Sequence, residues 1–305
     1  EVDLRAIDEY VTLQYVPAPR TAYVGASKIP AAHVAVFEPG APAPALRRYW
    51  SKPGGTLDVG EREADEELLR LLRAAVKKRL VSDVPLGAFL SGGLDSSTIV
   101  ALMAEASSRP VKTFSIGFPH AGDSELPYAR LVAERFGTEH HEEVVTPEMT
   151  SVLGATIRHH GQPFADSSAV ATYYLAEMTR KHVTVALSGD ASDELFAGYK
   201  RYGTARLGHL HDALPPAGRR AMRGAMRSVL AVAKPSLGDF GATLALGEAA
   251  RYARLVGQLA PADKRALYLA PMRAAADDSV RELFERVLAA SRAPSAMGRL
   301  CDLDF

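Results

Sequence analysis

Leu90-Ser91-Gly92-Gly93-Leu94-Asp95-Ser96-Ser97 decides the reading of this chain, because it stands between an apolar run at 84–90 and a helical pattern at 96–106. Two adjacent glycines let the backbone approach an anion closely, and the serines offer hydroxyl donors. The helix that follows adds unpaired N–H groups and the positive end of its dipole. The string reads as a phosphate cradle. Gly and Ser also punctuate and cap ordinary strand-to-helix turns, so the full string is more specific than its Ser-Gly-Gly core. No Gly-Lys-Ser/Thr follows and no lysine lies inside it, which excludes a Walker A loop. A carboxylate beside a triphosphate is tolerable when a divalent cation bridges them, so Asp95 implies Mg²⁺.

Outward from this string, strand-like and helix-like segments alternate. Apolar or β-rich runs lie at 84–90, 111–116, 142–145 and 183–187, and helical spacing marks 96–106, 126–136, 147–160 and 168–180. A further amphipathic helix opens at Ala64, with Leu68, Leu72, Val76 and Leu80 at helical spacing, acids at its start and Lys77, Lys78 and Arg79 at its end. The alternation predicts βαβ units on a parallel sheet, where ligands sit outside the carboxyl ends of the strands. The loops after Leu90, Ile116 and Leu187 are therefore the places to search. Seven prolines from Pro17 to Pro53 break up the opening residues, which read as a connecting lead-in over 1–60. After Tyr202 the chain is rich in Ala, Leu and Arg without alternation and reads as helical to its end.

Bulk composition narrows the function. Among 305 residues, 36 Lys+Arg balance 36 Asp+Glu, so no polyanion-seeking surface is announced and nucleic acid is not an expected partner. The single cysteine, Cys301, excludes an internal disulfide, a CxxC redox pair and a thiolate-rich zinc site, and it suits the cytoplasm. No apolar stretch reaches the ~18 residues of a membrane helix. The start, EVDLRAIDEY, is charged where a signal peptide would be apolar, and it opens on Glu1, so a piece of a longer protein is expected.

A second constellation follows the run at 183–187: Ser188-Gly189-Asp190-Ala191-Ser192-Asp193-Glu194. Three carboxylates at a strand's carboxyl end could complete a Mg²⁺ site and orient a cationic substrate group. Acids and serines also favour helix starts as caps. Placement on the same sheet edge as Asp95 favours the functional reading.

Ser91–Ser97 (SGGLDSS) resembles the pyrophosphatase-type loop of the glutamine-hydrolysing asparagine synthetases, and 188–199 (SGDASDELFAGY) resembles their second signature. Residues 113–117 (TFSIG), 163–168 (PFADSS) and 15–20 (YVPAPR) are similar as well, and the likeness runs from about Asp8 to Tyr202. The resemblance implies an α/β fold, the adenine-nucleotide α-hydrolase-like (Rossmann-like) parallel sheet with flanking helices, followed by a helical carboxy-terminal half. On that reading 1–60 leads in from a glutaminase domain, 61–202 is the nucleotide-binding core and 203–305 the helical part of one synthetase domain.

Carried over by position, the resemblance sets Leu90 and Ile116 against adenine, and Ser91, Gly92, Gly93, Ser96 and Ser97 around the phosphates. It puts Ser188 and Gly189 near the nucleotide and gives Mg²⁺ to Asp95 and Asp193. Asp190 matches a position tied to acyl-adenylate formation, with Glu194 and Tyr199 matching catalytic positions nearby. The implied activity is ATP-dependent amidation of a carboxylate, aspartate to asparagine first, with ammonia from a partner glutaminase domain, in a cytoplasmic enzyme whose homodimerisation is left open. Relatives that amidate peptide, sugar or β-lactam precursors share the chemistry, and Asp166, Ser167 and Ser168 do not choose among them. A non-catalytic nucleotide-binding remnant is the contrasting expectation.

Departures from the family pattern set further expectations. The family's glutaminase with its leading cysteine is not expected within these 305 residues, and Cys301 cannot replace it. The family's lysine-bearing segment lies beyond residues like 300–305, and Lys200 and Arg201 do not match it, so this chain is expected to bind Mg·ATP but turn over poorly. Ala191 stands where many members have Gly, a constraint if its φ is positive. The adjacent His140-His141 and His159-His160 point apart and are not expected to share a metal. His209 and His211 lie in a helical region, and Arg219, Arg220, Arg223 and Arg227 read as a solvated helix face.

Overall fold

The computed structural model describes residues 1–119, 124–146, 149–225, 241–276 and 278–304. They form two compact units, one of 57–159 with 166–193 and the other of 1–56, 160–165 and 194–305.

The 57–193 unit is built on a parallel sheet of four strands in the order β5-β4-β3-β6, with β3 Leu86–Phe89, β4 Lys112–Gly117, β5 Glu139–Val144 and β6 Val185–Leu187. Register places Ala88 beside both Thr113 and Leu187, so β3 is central and its carboxyl end lies next to that of β6. Parallel strands need crossovers, and here helices supply them: α3 Leu94–Ala106 joins β3 to β4, and α4 Leu126–Phe136 lies in the connection from β4 to β5. Helices α5 Met149–His160 and α6 Ser168–Arg180 fall between β5 and β6.

Both faces of the sheet are covered, as a parallel sheet requires. Ala88, Leu90, Val100, Met103, Val111 and Ala129 form one buried cluster with Val76 of α2 Glu61–Arg79. Phe114, Met178 and Val183 form another. The expected parallel sheet, flanking helices and helical second half are all present. Observed bounds differ by a few residues; β5 starts at Glu139 rather than 142 because His140 and His141 stand in register with Thr113 and Phe114.

In the other unit the opening residues are more regular than their prolines suggest. Asp3 caps α1 Leu4–Leu13, accepting from the Arg5 and Ala6 amides at 2.9 and 3.2 Å. Strands β1 His33–Val36 and β2 Ala45–Arg48 pair antiparallel. After them come α7 Ser192–Phe196, α8 Lys200–Ala213 and α9 Pro216–Ala225, then helices at Glu248–Val256, Ser279–Ala290 and Ala296–Asp304. Their buried side chains, Tyr202, Tyr252, Phe284 and Leu300, share one core. No described helix is long and apolar enough to cross a membrane.

Candidate active site

The loop 90–97 turns from the carboxyl end of β3 into α3. Gly92 takes φ +81°, and a Cβ there would come within 2.5 Å of the Tyr128 and Ala129 backbone, so only glycine lets the turn pass so close to α4. Ser91 and Ser96 brace the loop through their hydroxyls, 2.9 Å apart, and the Gly93 amide donates to Ser91 Oγ at 3.2 Å. Ser115 Oγ donates to the Leu90 carbonyl from β4 and pins the strand end. The N-cap of α3, Gly93, provides no side-chain cap, so no cap side chain takes up the first-turn amides of this 13-residue helix.

Ser188–Asp193 makes the corresponding turn after β6. Ser188 Oγ donates to Asp190 Oδ2 at 2.8 Å, and Ser192 Oγ donates to the Gly189 carbonyl at 2.8 Å. A Cβ on Gly189 would fall 2.8 Å from the Asp95 Cβ and from the Ser96 nitrogen, so the two loops touch through a glycine. Ala191 has φ 68°, the left-handed conformation at which the sequence departs from glycine.

The structure thus brings Ser91, Gly92, Gly93, Asp95, Ser96 and Ser97 together with Ser188, Gly189, Asp190 and Asp193 at neighbouring strand ends. Leu90 is only 2% exposed and its side chain is taken up by the core cluster, while Ile116 is half-buried beside Phe114. In the other unit, Tyr199 donates from its hydroxyl to Glu194 Oε1 at 2.7 Å. Ser96 serves the loop's own hydrogen bonds, whereas the buried Ser97 Oγ has no hydrogen-bond partner.

The donor set fits a nucleotide with a hard cation. Oxygen ligands from one or two carboxylates, completed by phosphates and water, are what Mg²⁺ takes. Among the described residues no group of three metal-ligating side chains is gathered, so the protein alone would not form a closed cage. Uncapped α3 amides and the orphaned Ser97 hydroxyl are donors of the kind that phosphate oxygens accept from.

The histidines are otherwise engaged. His140 Nδ1 lies 2.9 Å from Thr113 Oγ1, and His141 stacks on Phe114 with ring centroids 5.3 Å apart. His209 faces Glu248 at 3.5 Å, and His211 pairs with Asp212 at 3.0 Å. Arg219 donates to the Leu214 and Asp212 carbonyls; Arg227 lies outside the described residues. Ser115 and Tyr128 stand in stretches that resemble the family, but no role attaches to them in the sequence; in the structure they support the cradle from β4 and α4, where strand pairing and helix packing bring them.

Several curated proteins are similar to this chain in sequence. A putative glutamine-hydrolysing asparagine synthetase from Methanocaldococcus jannaschii is 39% identical over 64% of the chain and 38% of its own length. Another from Mycobacterium bovis is 35% identical over 73% of the chain and 34% of its own length. Asparagine synthetase 1 of Bacillus subtilis is 36% identical over 66% and 32%. The chain therefore spans about a third of the length of these curated relatives. A solved NH3-dependent NAD synthetase from Campylobacter jejuni covers 44% of this chain and 60% of its own at 16% identity and a TM-score of 0.32, too loose a likeness to argue from. The profile of the asparagine synthase family matches residues 67–301, a span that contains both glycine-serine loops and their carboxylates, and the chain belongs to that family.

Proposed function

We propose that this chain is the synthetase part of an ATP-dependent carbon–nitrogen ligase that amidates a carboxylate, aspartate to asparagine first among candidates. The observation that carries the proposal is the meeting of the 91–97 and 188–193 loops at adjacent strand ends, with Asp95 and Asp193 one on each. Supporting it are the family match and the names of the relatives.

A carboxylate is a poor electrophile, so it must first be activated. Its oxygen attacks the α-phosphorus of ATP, the bond to the β-phosphate oxygen breaks, and pyrophosphate leaves an acyl-adenylate. Ammonia then attacks the acyl carbon, AMP departs with the bonding pair, and the nitrogen loses a proton. Asp95 and Asp193 would hold Mg²⁺, which lowers the repulsion between the two anions and stabilises the leaving charge. The α3 amides and the Ser91 and Ser97 hydroxyls bind the phosphates, Ser188 and Gly189 border the nucleotide, and preorganised donors do most of the catalytic work. Asp190 would act on the acceptor from the 188–193 loop, and Glu194 and Tyr199 are the further residues to which this reading gives a catalytic role.

Ammonia would come from glutamine hydrolysis, as the relatives' names imply, by a glutaminase domain partnered with this chain in a cytoplasmic enzyme. The test is exchange of labelled pyrophosphate into ATP with aspartate, glutamate and larger carboxylic acids. Exchange with aspartate is expected. Exchange with another acid alone would keep the chemistry and replace the acceptor; silence across the panel in the intact protein would overturn the ligase reading in favour of a nucleotide-binding remnant.

A further inference from the structure

We infer that Arg201 is a positioning residue for the acceptor side of the reaction, acting through the Tyr199–Glu194 pair; this rests on the reading that the pair faces substrate. The Arg201 guanidinium lies over the Tyr199 ring, 3.6 Å from its centroid. That ring's hydroxyl is the group that donates to Glu194 Oε1 at 2.7 Å. A cation over the ring face restrains the ring, and the position of the ring sets where its hydroxyl oxygen stands.

Arg201 itself is held on two other sides. Its Nε donates to the Tyr252 hydroxyl at 3.1 Å, and its terminal nitrogen pairs with Asp304 Oδ1 at 3.0 Å. The other oxygen of Asp304 accepts from both Tyr202 and Tyr252. Both tyrosines are 1% exposed, and burial together with the Asp304 carboxylate raises their pKa values, so they remain donors throughout the physiological range. The chain of contacts therefore runs from Asp304 through Arg201 to Tyr199 and Glu194, and the helices Glu248–Val256 and Ala296–Asp304 both reach the one guanidinium.

Lysine cannot reproduce this. It could keep a point charge near Asp304 but would lose the planar fork that bonds Tyr252 and covers Tyr199 at once. Arg201 is thus distinct from a lysine that would meet substrate directly, since its Nε and one terminal nitrogen are engaged by Tyr252 and Asp304.

The test uses Arg201→Ala, Arg201→Lys and Tyr199→Phe in the intact protein. Expected is a rise of tenfold or more in the acceptor KM for pyrophosphate exchange in Arg201→Ala, with Mg·ATP affinity by calorimetry changed less than twofold. Arg201→Lys should recover only part of the KM. Combining Arg201→Ala with Tyr199→Phe should add little to Tyr199→Phe alone, because the arginine works through that hydroxyl. An unchanged KM in folded Arg201→Ala, or parallel losses in KM and ATP affinity, would overturn the inference.

If the parent protein shows no acceptor-dependent exchange, the ligase reading has failed, and the Tyr199 ring signal in ¹³C-tyrosine protein, assigned by its loss in Tyr199→Phe, decides positioning alone. A shifted signal in Arg201→Ala supports it. An unmoved one overturns it.

Discussion

Gly189 lies so close to Asp95 that a Cβ on the glycine would stand 2.8 Å from the Asp95 Cβ and 2.9 Å from its carbonyl carbon. The contact is mostly with backbone, which cannot swing aside as a side-chain tip can. Gly189→Ala must therefore push the 188–193 loop away from the start of α3. Overpacking of this kind costs about 1–3 kcal/mol. The expected result is a modest drop in the urea midpoint with a loss of Mg·ATP affinity of tenfold or more, measured by calorimetry. Retention of full affinity would mean that the spacing of the two loops does not set the nucleotide site.

Ala191 pays for its place in the same loop. At φ 68° its Cβ crowds the following carbonyl, at a cost of about 1 kcal/mol that glycine does not bear. Ala191→Gly is expected to raise the urea midpoint with an unchanged slope, by up to about 1 kcal/mol in unfolding free energy. A lowered midpoint would show that the methyl contributes packing worth more than the strain.

Asp8 anchors α1 from a fully buried position. Its Oδ1 accepts from the Tyr268 hydroxyl at 2.7 Å and faces Lys264 Nζ at 2.8 Å, and Lys264 also donates to Thr12 Oγ1 at 2.9 Å. Burial and the neighbouring Asp8 raise the Tyr268 pKa, which keeps it a donor. Removing one member of a buried ion pair strands the other, at a cost of about 3–5 kcal/mol. Asp8→Ala should lower unfolding free energy by that order, and Asp8→Asn, which keeps an acceptor for Tyr268, by less. Equal losses in the two variants would show that charge, and not the hydrogen bond, is the larger part.

The two glycine-serine loops are legible in the sequence because their chemistry is local: glycines, serines and carboxylates stand within a few residues of each other, at the ends of apolar runs. The parallel sheet is legible for a similar reason, since 84–90 and 183–187 lack the alternation of a half-exposed strand. What stays hidden depends on distance along the chain. Ser115 reaches the Leu90 carbonyl from 25 residues away, and Tyr202 meets Asp304 across 102. Nothing at either end marks its partner. The opening residues mislead differently: prolines dominate the impression, yet the Asp3 cap and Leu4, Ile7 and Val11 carry the signal of α1.

His140 gives the fold a titration on its acid side. It sits on β5 with its side chain 12% exposed, held to Thr113 Oγ1 at 2.9 Å. Desolvation by burial lowers its pKa; Glu142, 3.8 Å away, opposes that shift, while His141 and Arg130 add to it. The fold thus favours neutral imidazole. A folded pKa below the unfolded value of about 6.5 means that this contribution is complete above pH ~6.5 and is lost as pH falls from there through the lower folded value. One such proton contributes at most about 1.4 kcal/mol per pH unit. His140→Gln, which can still meet Thr113, should flatten the dependence of the urea midpoint on pH below ~6.5 while leaving it nearly unchanged at neutral pH. An equally steep acid limb in His140→Gln would assign that titration to other groups.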